Sequence, residues 1–430
     1  MLIQQRRRYG GLWAALLVIM ASGMLVNNIR LFDLSGYPVT PSVIIAAIFY
    51  VLCFADWVNR RIPLRDSVPF SALFLILYEL IVHGAIMGNF SNSEWLRSAA
   101  LLVFCVGLLV VSGKLVVLLD DITVLARTVS ILSYLMGGLG IIQFLYQNIT
   151  GIDSQYLPES LMVRNVSAVY DSPRSAGLLR ATGVSYEFSY YGIGMVVVAT
   201  LCLVLLDMGF ISSKMRRMLT GALIVAVAGV AVSVSFAAWG LLAVVLLVRV
   251  LTTVRSSRNR LPIVVGLGVF ALFLLAVYPY LNQRWQDVLA GYDRSTNYRL
   301  IASLKLILES DRDMMENLIG TGVGLEQLSP RIWRVYSEYF SVFGRERFSV
   351  VNGIAYAVLT MGWVGLTINT WVVFNVFWKR NSGLVNALPL IILVLGYFFT
   401  NARYLWPEWW ALLILSAVLA HAPTTARSAT

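Results

Sequence analysis

The sequence predicts an all-α, polytopic integral membrane protein with about 12 transmembrane helices and one large outside loop that carries short amphipathic helices. Hydrophobic residues make up 59% of the 430 residues, charged residues make up 13%, and the mean hydropathy is +0.77. Water-soluble domains are far more polar than this. A membrane-spanning helix needs about 20 apolar residues, and in lipid its backbone groups must be satisfied internally. The chain is therefore interpreted as one membrane-embedded domain, 1–430, with predicted spans at 11–27, 41–58, 68–88, 96–113, 128–149, 186–206, 216–234, 236–252, 261–281, 350–377, 385–401 and 406–421.

The distribution of positive charge predicts which side of the membrane each loop faces. With residues 6–8 in the cytoplasm and the spans alternating, the cytoplasmic ends carry 18 cations, whereas the opposite short loops carry three: Arg30, Arg97 and Arg403. This bias follows the positive-inside rule. It predicts cytoplasmic termini and outside loops at 150–185 and 282–348. The net charge of +11 is thereby explained by topology, so nucleic acid is not a predicted partner. The arginine-rich start resembles a signal peptide, but it is expected to be an uncleaved first span.

Cysteine and histidine usage predicts neither disulfides nor a metal site. The three cysteines all lie inside apolar runs: Cys53, Cys105 and Cys202. The two histidines, His83 and His421, are far apart in the sequence and belong to no zinc motif. No cofactor and no metal are expected.

The first candidate site combines an arginine with a glutamate at the mouth of the predicted span 186–206. Arg180 stands at the mouth and Glu187 follows about two turns later. An ionisable residue at this depth is costly and is a functional candidate by default. The alternative is a structural Arg–Glu pair that ties a loop to the bundle.

The long loop begins with a second pair of candidate cations. Arg294 and Arg299 lie at the start of a predicted amphipathic helix over 297–310. Helix N-termini favour anions, so Arg299 in particular is predicted to bind phosphate; the alternative is a solvated charged turn. A second helix is predicted around the aromatic residues at 333–340, and Trp406, Trp409 and Trp410 are expected to form an aromatic belt at the membrane interface.

Two further motifs are open to a structural and a functional interpretation. Glu79 and His83 lie four residues apart on one face of the span 68–88. They form either a buried hydrogen-bonded pair between helices or a proton relay. The run Gly320-Thr-Gly322-Val-Gly324 lacks the ending of a P-loop and is interpreted as a tight turn near the active site.

The outside compartment restricts the chemistry available to these residues. It lacks nucleotide sugars, so a transferase there needs a donor that is activated beforehand and delivered in the membrane. Polyprenyl-pyrophosphate-linked sugars meet this requirement. The departing pyrophosphate needs cationic neutralisation, for which the planar fork of arginine is well suited.

At these residues the chain resembles the O-antigen ligase and polymerase superfamily of bacterial surface polysaccharide assembly. Members share an arginine–glycine motif that enters a mid-chain helix, similar to Arg180-Ala-Thr-Gly183 followed by Glu187. A short serine-rich hairpin follows, similar to 233–240.

The resemblance continues through the large periplasmic loop, 282–348. An arginine lies near its start, as Arg299 does here, and a Gly-x-Gly-x-Gly turn follows, as at 320–324. An asparagine-led span with paired glycines ends the series, and Asn352, Gly362 and Gly365 fit that element. The ligase branch carries a histidine where this chain has Val351, and Phe236 replaces the usual hairpin arginine. The missing histidine favours the polymerase (Wzy-type) branch.

The resemblance implies a metal-independent glycosyltransferase that joins polyprenyl-pyrophosphate-linked repeat units on the periplasmic side. Arg180 and Arg299 would hold the pyrophosphate, and Glu187 is the first candidate to accept the proton of the attacking hydroxyl. Glu326 and Glu338 are reserve carboxylates on the large loop. The remaining substrate-binding candidates are Arg294, Arg403 and Asn352, with Tyr191, Tyr298 and Tyr336 as aromatics that stack on sugars.

The implied setting is the bacterial inner membrane, with O-antigen or exopolysaccharide biosynthesis as the pathway. The implied partners are the lipid-linked oligosaccharides, the bilayer, a chain-length regulator and a flippase. Two alternatives stay open: a ligase that transfers glycan to lipid A–core, and a lipid-linked oligosaccharide transporter.

Overall fold

The computed structural model describes most of the helical core of the chain. The described residues are 2–27, 29–34, 37–59, 70–112, 122–153, 162, 174–175, 178–185, 187–208, 211–254, 301–308, 314–326, 329, 332–336, 350, 352–378, 384–400, 405–420 and seven residues between 268 and 286.

The regular secondary structure of the described residues is helical apart from two short ribbons and an isolated bridge between Ile29 and Met162. Its α-helices are α1 (Leu2–Ala21), α2 (Pro41–Asn59), α3 (Phe70–Tyr78), α4 (Ser93–Ser112), α5 (Ile122–Leu132), α6 (Gly138–Thr150), α7 (Phe188–Leu206), α8 (Ser213–Val232), α9 (Phe236–Val254), α10 (Ala302–Leu308), α11 (Met314–Ile319), α12 (Gly353–Trp378), α13 (Leu384–Thr400) and α14 (Pro407–Ala420). Helix α3 continues as a π-helix, Glu79–Ile86, and a second π-helix, Ser133–Gly137, joins α5 to α6. Two 3₁₀ turns are Gly23–Val26 and Asn89–Ser91.

The ribbons lie in loops between helices. Strand β1 (Phe32–Leu34) pairs antiparallel with β2 (Tyr37–Val39), with Phe32 opposite Val39. Strand β3 (Arg174–Ser175) pairs antiparallel with β4 (Leu178–Leu179), with Arg174 opposite Leu179. The second ribbon leads directly into the segment that carries Arg180.

Several helices are long and apolar enough to cross a membrane, which makes the chain a multi-pass membrane protein. The five long ones are Ser93–Val110, Ile122–Thr150, Phe188–Leu206, Ser213–Val232 and Gly353–Phe377. Six shorter apolar helices accompany them: Leu12–Ala21, Pro41–Leu52, Phe70–Ile86, Phe236–Thr252, Ala387–Thr400 and Pro407–Ala420. Each coincides with a predicted span. The predicted span 261–281 falls almost wholly outside the described residues.

Helix α7 lies at the centre of the bundle because it is apolar on every face. A helix without a polar face must be surrounded by other helices or by lipid. Here 89% of the helix is buried in protein, and it packs against α5, α8 and α9. Helix α14 is also buried along its whole length, against α1, α4 and α13. Large exposed apolar side chains lie instead on outer helices, as Phe70, Ile224 and Leu251 do.

The expected aromatic belt is wrong for Trp409 and Trp410, at the start of α14. Trp409 and Trp410 are 1% and 0% exposed, and their rings pack edge to face with centroids 4.7 Å apart. The Trp409 ring also lies 5.3 Å from that of Phe398 on α13. Since α14 is an inner helix, its aromatic residues fill the protein core, where an outer helix would bring them to the lipid headgroups.

Helix α12 is broken at Gly362, and part of the large loop occupies the break. Gly362 has φ 66° and ψ −175°, a conformation outside the helical region. A Cβ at Gly362 would collide with the Leu318 backbone of α11, and a Cβ at Gly320 would collide with the Thr360 backbone. Both glycines are required because two backbones approach each other without room for side chains.

The described residues of the large loop are helical in both regions where the sequence predicts helices. Helix α10 covers Ala302–Leu308 of the predicted 297–310, with Leu306 buried and Leu308 exposed. The segment 332–336 is helical, as the aromatic pattern predicts. The hydroxyls of Ser303 and Tyr336 lie 3.1 Å apart and join these two elements.

Candidate active site at the outer end of the bundle

Several helix ends meet at one end of the bundle, which we call the outer end. The Ser42 hydroxyl at the start of α2 donates to Glu408 Oε1 at the start of α14, at 2.7 Å. Ser185, just before α7, donates to Asn27 Oδ1, just after α1, at 3.0 Å. The start of α12 packs at Gly353 against the end of α13. This is the end predicted to face the outside compartment.

The segment 180–183 is fixed at the outer end by hydrogen bonds that its backbone N–H groups donate to two neighbouring helices. Gln143 Oε1 on α6 accepts from the backbone N–H groups of Thr182 at 2.9 Å and Gly183 at 2.8 Å. The Ala181 N–H donates to the Val232 carbonyl at the end of α8, at 3.1 Å. The arginine–glycine motif and the hairpin 233–240, about 50 residues apart in sequence, thus lie side by side.

Arg180 is held over an aromatic ring. Its guanidinium carbon lies 3.4 Å from the centroid of the Phe188 ring, at the first residue of α7. The side chain is half-buried, as expected at the mouth of a helix. Stacking on a ring face fixes the plane of the guanidinium and directs its N–H donors around the edge of that plane. The arrangement suits in-plane binding of a phosphate group.

Glu187 immediately precedes α7 and is buried, with 3% of its surface exposed. Its backbone is extended, and its Oε1 accepts a hydrogen bond of 2.6 Å from the Ser189 hydroxyl. A carboxylate at a helix N-terminus is stabilised by the helix dipole. Glu187 directly precedes in sequence Phe188, the residue whose ring lies under Arg180.

Two of the predicted sugar-stacking aromatics are packing residues, which corrects that interpretation. Tyr191 is 1% exposed, its ring contacts Gly140 and Gly183, and its hydroxyl donates to the Met136 carbonyl at 3.2 Å. Tyr336 is 0% exposed. Protein atoms occupy both ring faces, so neither ring is accessible to a sugar in this conformation.

The glycine turn of the large loop forms a second group of candidate residues. Gly320, Gly322 and Gly324 all have positive φ, as the predicted tight turn requires. The N–H groups of Thr321 and Gly322 donate to the carbonyls of Leu359 (3.1 Å) and Thr360 (2.7 Å). These carbonyls lie in the last turn before the break at Gly362. The loop thus supplies hydrogen bonds to a helix end that is buried within the protein.

Glu79 and His83 form a buried pair that reaches both a neighbouring helix and this turn. Glu79 Oε1 accepts from the Trp95 indole N–H on α4 at 2.7 Å and from the Val323 N–H at 3.1 Å. Glu79 Oε2 lies 2.9 Å from His83 Nδ1, and His83 Nε2 lies 2.6 Å from the Ile319 carbonyl. The interpretation as a buried pair between helices is confirmed, and its contact with the loop is new.

Glu326 closes the glycine turn and contacts the first turn of α12, which Asn352 directly precedes. Glu326 is 8% exposed, and the Tyr356 side chain on the first turn of α12 hydrogen-bonds to its carboxylate. Asn352 caps the helix, since its Oδ1 accepts from the Ala355 N–H at 3.0 Å. Burial, reinforced by the negative charge of Glu94, raises the pKa of Glu326 to about 7. This carboxyl therefore exchanges a proton near neutral pH.

The other predicted site residues lie outside the described residues: Arg294, Tyr298, Arg299, Glu338 and Arg403. Their roles stay predictions.

Several residues that shape the outer end were missed by sequence reasoning. Gln143 is an amide in the otherwise largely apolar helix α6, which also carries Gln147 and Asn148, and such amides are a detectable signal for buried polar contacts. Phe188, Trp95 and Glu408 stand among ordinary apolar or interfacial residues and carry no such signal. Glu408 is 0% exposed and binds Ser42, which makes it a further buried carboxylate at this end.

Comparison with known proteins leaves the family unassigned. No model of a known protein family matches the chain, and no curated protein matches it. The resemblance to the O-antigen ligase and polymerase superfamily therefore rests on the motifs at 180–187, 233–240, 320–324 and 352–365.

Proposed function

We propose that the protein is a polysaccharide polymerase of the inner membrane, with about 12 spans and an active site on the periplasmic side. It would join oligosaccharide repeat units carried on polyprenyl pyrophosphate. One observation supports this more than any other: motifs that are far apart in sequence meet in pairs near the outer end. The arginine–glycine segment touches the end of α8, and the glycine turn touches the glycine break in α12.

In this proposal Arg180 binds the pyrophosphate of the donor lipid. A sugar hydroxyl of the incoming repeat unit attacks the anomeric carbon of the growing glycan, and the bond to the pyrophosphate oxygen breaks. The leaving group gains negative charge as that bond breaks, and an arginine fixed over Phe188 is arranged in advance to stabilise it. Arg299 is assigned the same task from the sequence.

A carboxylate takes the proton of the attacking hydroxyl in the same step. Glu187 is the sequence neighbour of Phe188, over which Arg180 lies, but its carboxylate already accepts a hydrogen bond from Ser189. Glu326 has the raised pKa that suits proton exchange near pH 7. Comparing Gln variants of the two residues decides between them.

The reaction is expected to release one polyprenyl pyrophosphate per linkage and to need no metal. Purified protein would be mixed with lipid-linked repeat units, and free polyprenyl pyrophosphate would be measured with and without a chelator. Equal release in both samples is the expected result. Loss of release on chelation contradicts the metal-independent mechanism, and no release in either sample contradicts the proposed transfer.

A further inference from the structure

Helices α5 and α8 pack against each other and run in the same direction. The Ser133 hydroxyl, directly after α5, donates to the Ala222 carbonyl of α8. Further along both helices, a Cβ at Gly137 would contact Val225. Since α8 ends beside Ala181 at the outer end, both helices begin at the opposite end of the bundle, which we call the inner end.

Three exposed cations lie at one level of the inner end: Arg127 on α5, and Lys214 and Arg217 on α8. Arg127 stands six positions before Ser133, and the same step back from Ala222 reaches position 216 of α8. A helix rises about 1.5 Å per residue. Lys214 and Arg217 therefore begin within about 3 Å of the level of Arg127.

The described structure provides no anionic partner for these cations. None of the three side chains makes a hydrogen bond or an ion pair with another described residue. Helices α5 and α8 contain no acidic residue. The nearest acids in sequence are Asp120 and Asp121, which precede α5 outside the described residues, and Asp207, which pairs with Arg249.

Exposed apolar side chains continue from the cations towards the middle of both helices. Arg127 is followed at helical spacing by Ile131 and Tyr134, which are 55% and 43% exposed. Arg217 is followed seven positions later by Ile224, which is 64% exposed. Residues four or seven apart lie on one face of a helix, so each helix presents a stripe that begins with a cation and becomes apolar.

The two stripes are joined by a contact between the helices. The Tyr134 hydroxyl donates to the Met218 carbonyl at 3.0 Å, and a Cβ at Gly221 would collide with that hydroxyl. Lys214 precedes Met218 by one turn and therefore lies on the side of α8 that faces α5. We call the combined surface the α5–α8 face. It consists of Arg127, Ile131, Tyr134, Lys214, Arg217 and Ile224.

We propose that the α5–α8 face binds one anionic phospholipid, with the headgroup phosphate at the three cations and an acyl chain along the apolar stripes. The order of groups, cationic and then apolar, complements the order in a phospholipid. Basic pockets between membrane helices on the cytoplasmic side bind anionic headgroups in this way. Charges that only set topology need no common level on two packed helices. In the predicted topology the lipid belongs to the cytoplasmic leaflet, and the proposal does not depend on glycan synthesis.

Lipid binding by the full-length protein in non-ionic detergent tests the proposal. The protein would be titrated with phosphatidylglycerol or with phosphatidylcholine, and bound lipids would be counted by native mass spectrometry. One phosphatidylglycerol is expected to bind more tightly than phosphatidylcholine. A cation near an anionic lipid contributes about fivefold in affinity. Arg127→Gln and Lys214→Gln are each expected to weaken the site about fivefold, and the double variant about 25-fold.

Two controls separate a lipid site from a general effect of charge. Arg380→Gln removes a predicted cytoplasmic cation that follows α12 in the sequence, and the affinity for phosphatidylglycerol is expected to stay unchanged. Soluble glycerol 3-phosphate carries the phosphate without acyl chains and is not expected to displace the lipid. Because Arg127 and Lys214 are exposed, their variants are expected to unfold at the wild-type temperature in lipid-free detergent.

Each outcome decides for or against the α5–α8 face. Selective binding of phosphatidylglycerol that weakens in the Arg127 and Lys214 variants and not in Arg380→Gln supports the proposal. Equal affinity for the two lipids, unchanged affinity in the double variant, or an equal loss in Arg380→Gln overturns it. Displacement by glycerol 3-phosphate would reveal a site for anions alone and also overturns it. These measurements stay interpretable if the proposed polymerase fails its own test.

Discussion

Arg180→Ala is expected to abolish glycan polymerisation while the protein still folds and inserts into the membrane. The substitution removes the cation that lies over Phe188 at the outer end. Removing one preorganised electrostatic group from an active site typically lowers the rate by about 100- to 1,000-fold. The backbone of the segment 180–183 stays attached through Gln143 and Val232, so the loss is expected in chemistry and not in stability.

Two matched variants separate the role of Arg180 from a general charge effect. Arg180→Lys keeps the charge but loses the planar fork and much of the stacking, so an intermediate rate is expected. Arg30→Ala removes an exposed arginine that pairs with Asp33, and it should leave the rate unchanged. Product length would be measured with equal amounts of folded protein. Wild-type activity in Arg180→Ala removes this residue from the mechanism.

Glu326→Gln is expected to stabilise the protein at alkaline pH and to leave its stability unchanged at acid pH. Burial raises the pKa of this carboxyl from 4.5 to about 7. The folded state therefore binds the proton more tightly than the unfolded state does, and the free energy of unfolding falls as pH rises from 4.5 to about 7. A shift of this size corresponds to roughly 3 kcal/mol above pH 7. Glutamine cannot ionise and avoids that loss.

The measurement is thermal unfolding of the two proteins in detergent at pH 4 and pH 8. A higher unfolding temperature for Glu326→Gln at pH 8 only is the expected result. A lower temperature at pH 8 would show that the surroundings stabilise the ionised carboxylate, which contradicts a raised pKa. Glu316→Gln is a matched substitution on the same loop, at a carboxylate that accepts a hydrogen bond from Ser329. The polymerisation rates of Glu326→Gln and Glu187→Gln are then compared, and the variant with the lower rate identifies the proton acceptor.

The membrane-spanning helices were predictable because one property, a run of apolar residues, determines them. Lipid imposes the same demand on every span, so each predicted span within the described residues coincides with an apolar helix. Hydropathy does not distinguish a helix that faces lipid from one that faces protein. Hydropathy therefore predicts that the tryptophans at the start of α14 lie at the membrane interface, whereas Trp409 and Trp410 are buried in the core.

The site was predictable only as a set of separate motifs. Arg180, Glu187 and the glycine turn stand out because charges and glycines are rare in such a chain. The residues that surround them in the fold come from distant segments of the chain. The Val323 N–H, for example, donates to Glu79, 244 positions away in the sequence, and no local sequence pattern predicts that contact. The burial of Tyr191 and Tyr336 has the same origin, since an aromatic residue looks alike in sequence whether it faces a sugar or lies in the protein core.

The most direct test of the proposed polymerase is synthesis by the purified protein alone. The protein would be incubated with lipid-linked repeat units, without nucleotides or metals, and the products separated by glycan length. A polymerase is expected to produce a ladder of lengths that differ by one repeat unit. Folded protein that leaves the cognate repeat unit unextended would contradict a polymerase and favour the ligase or the transporter.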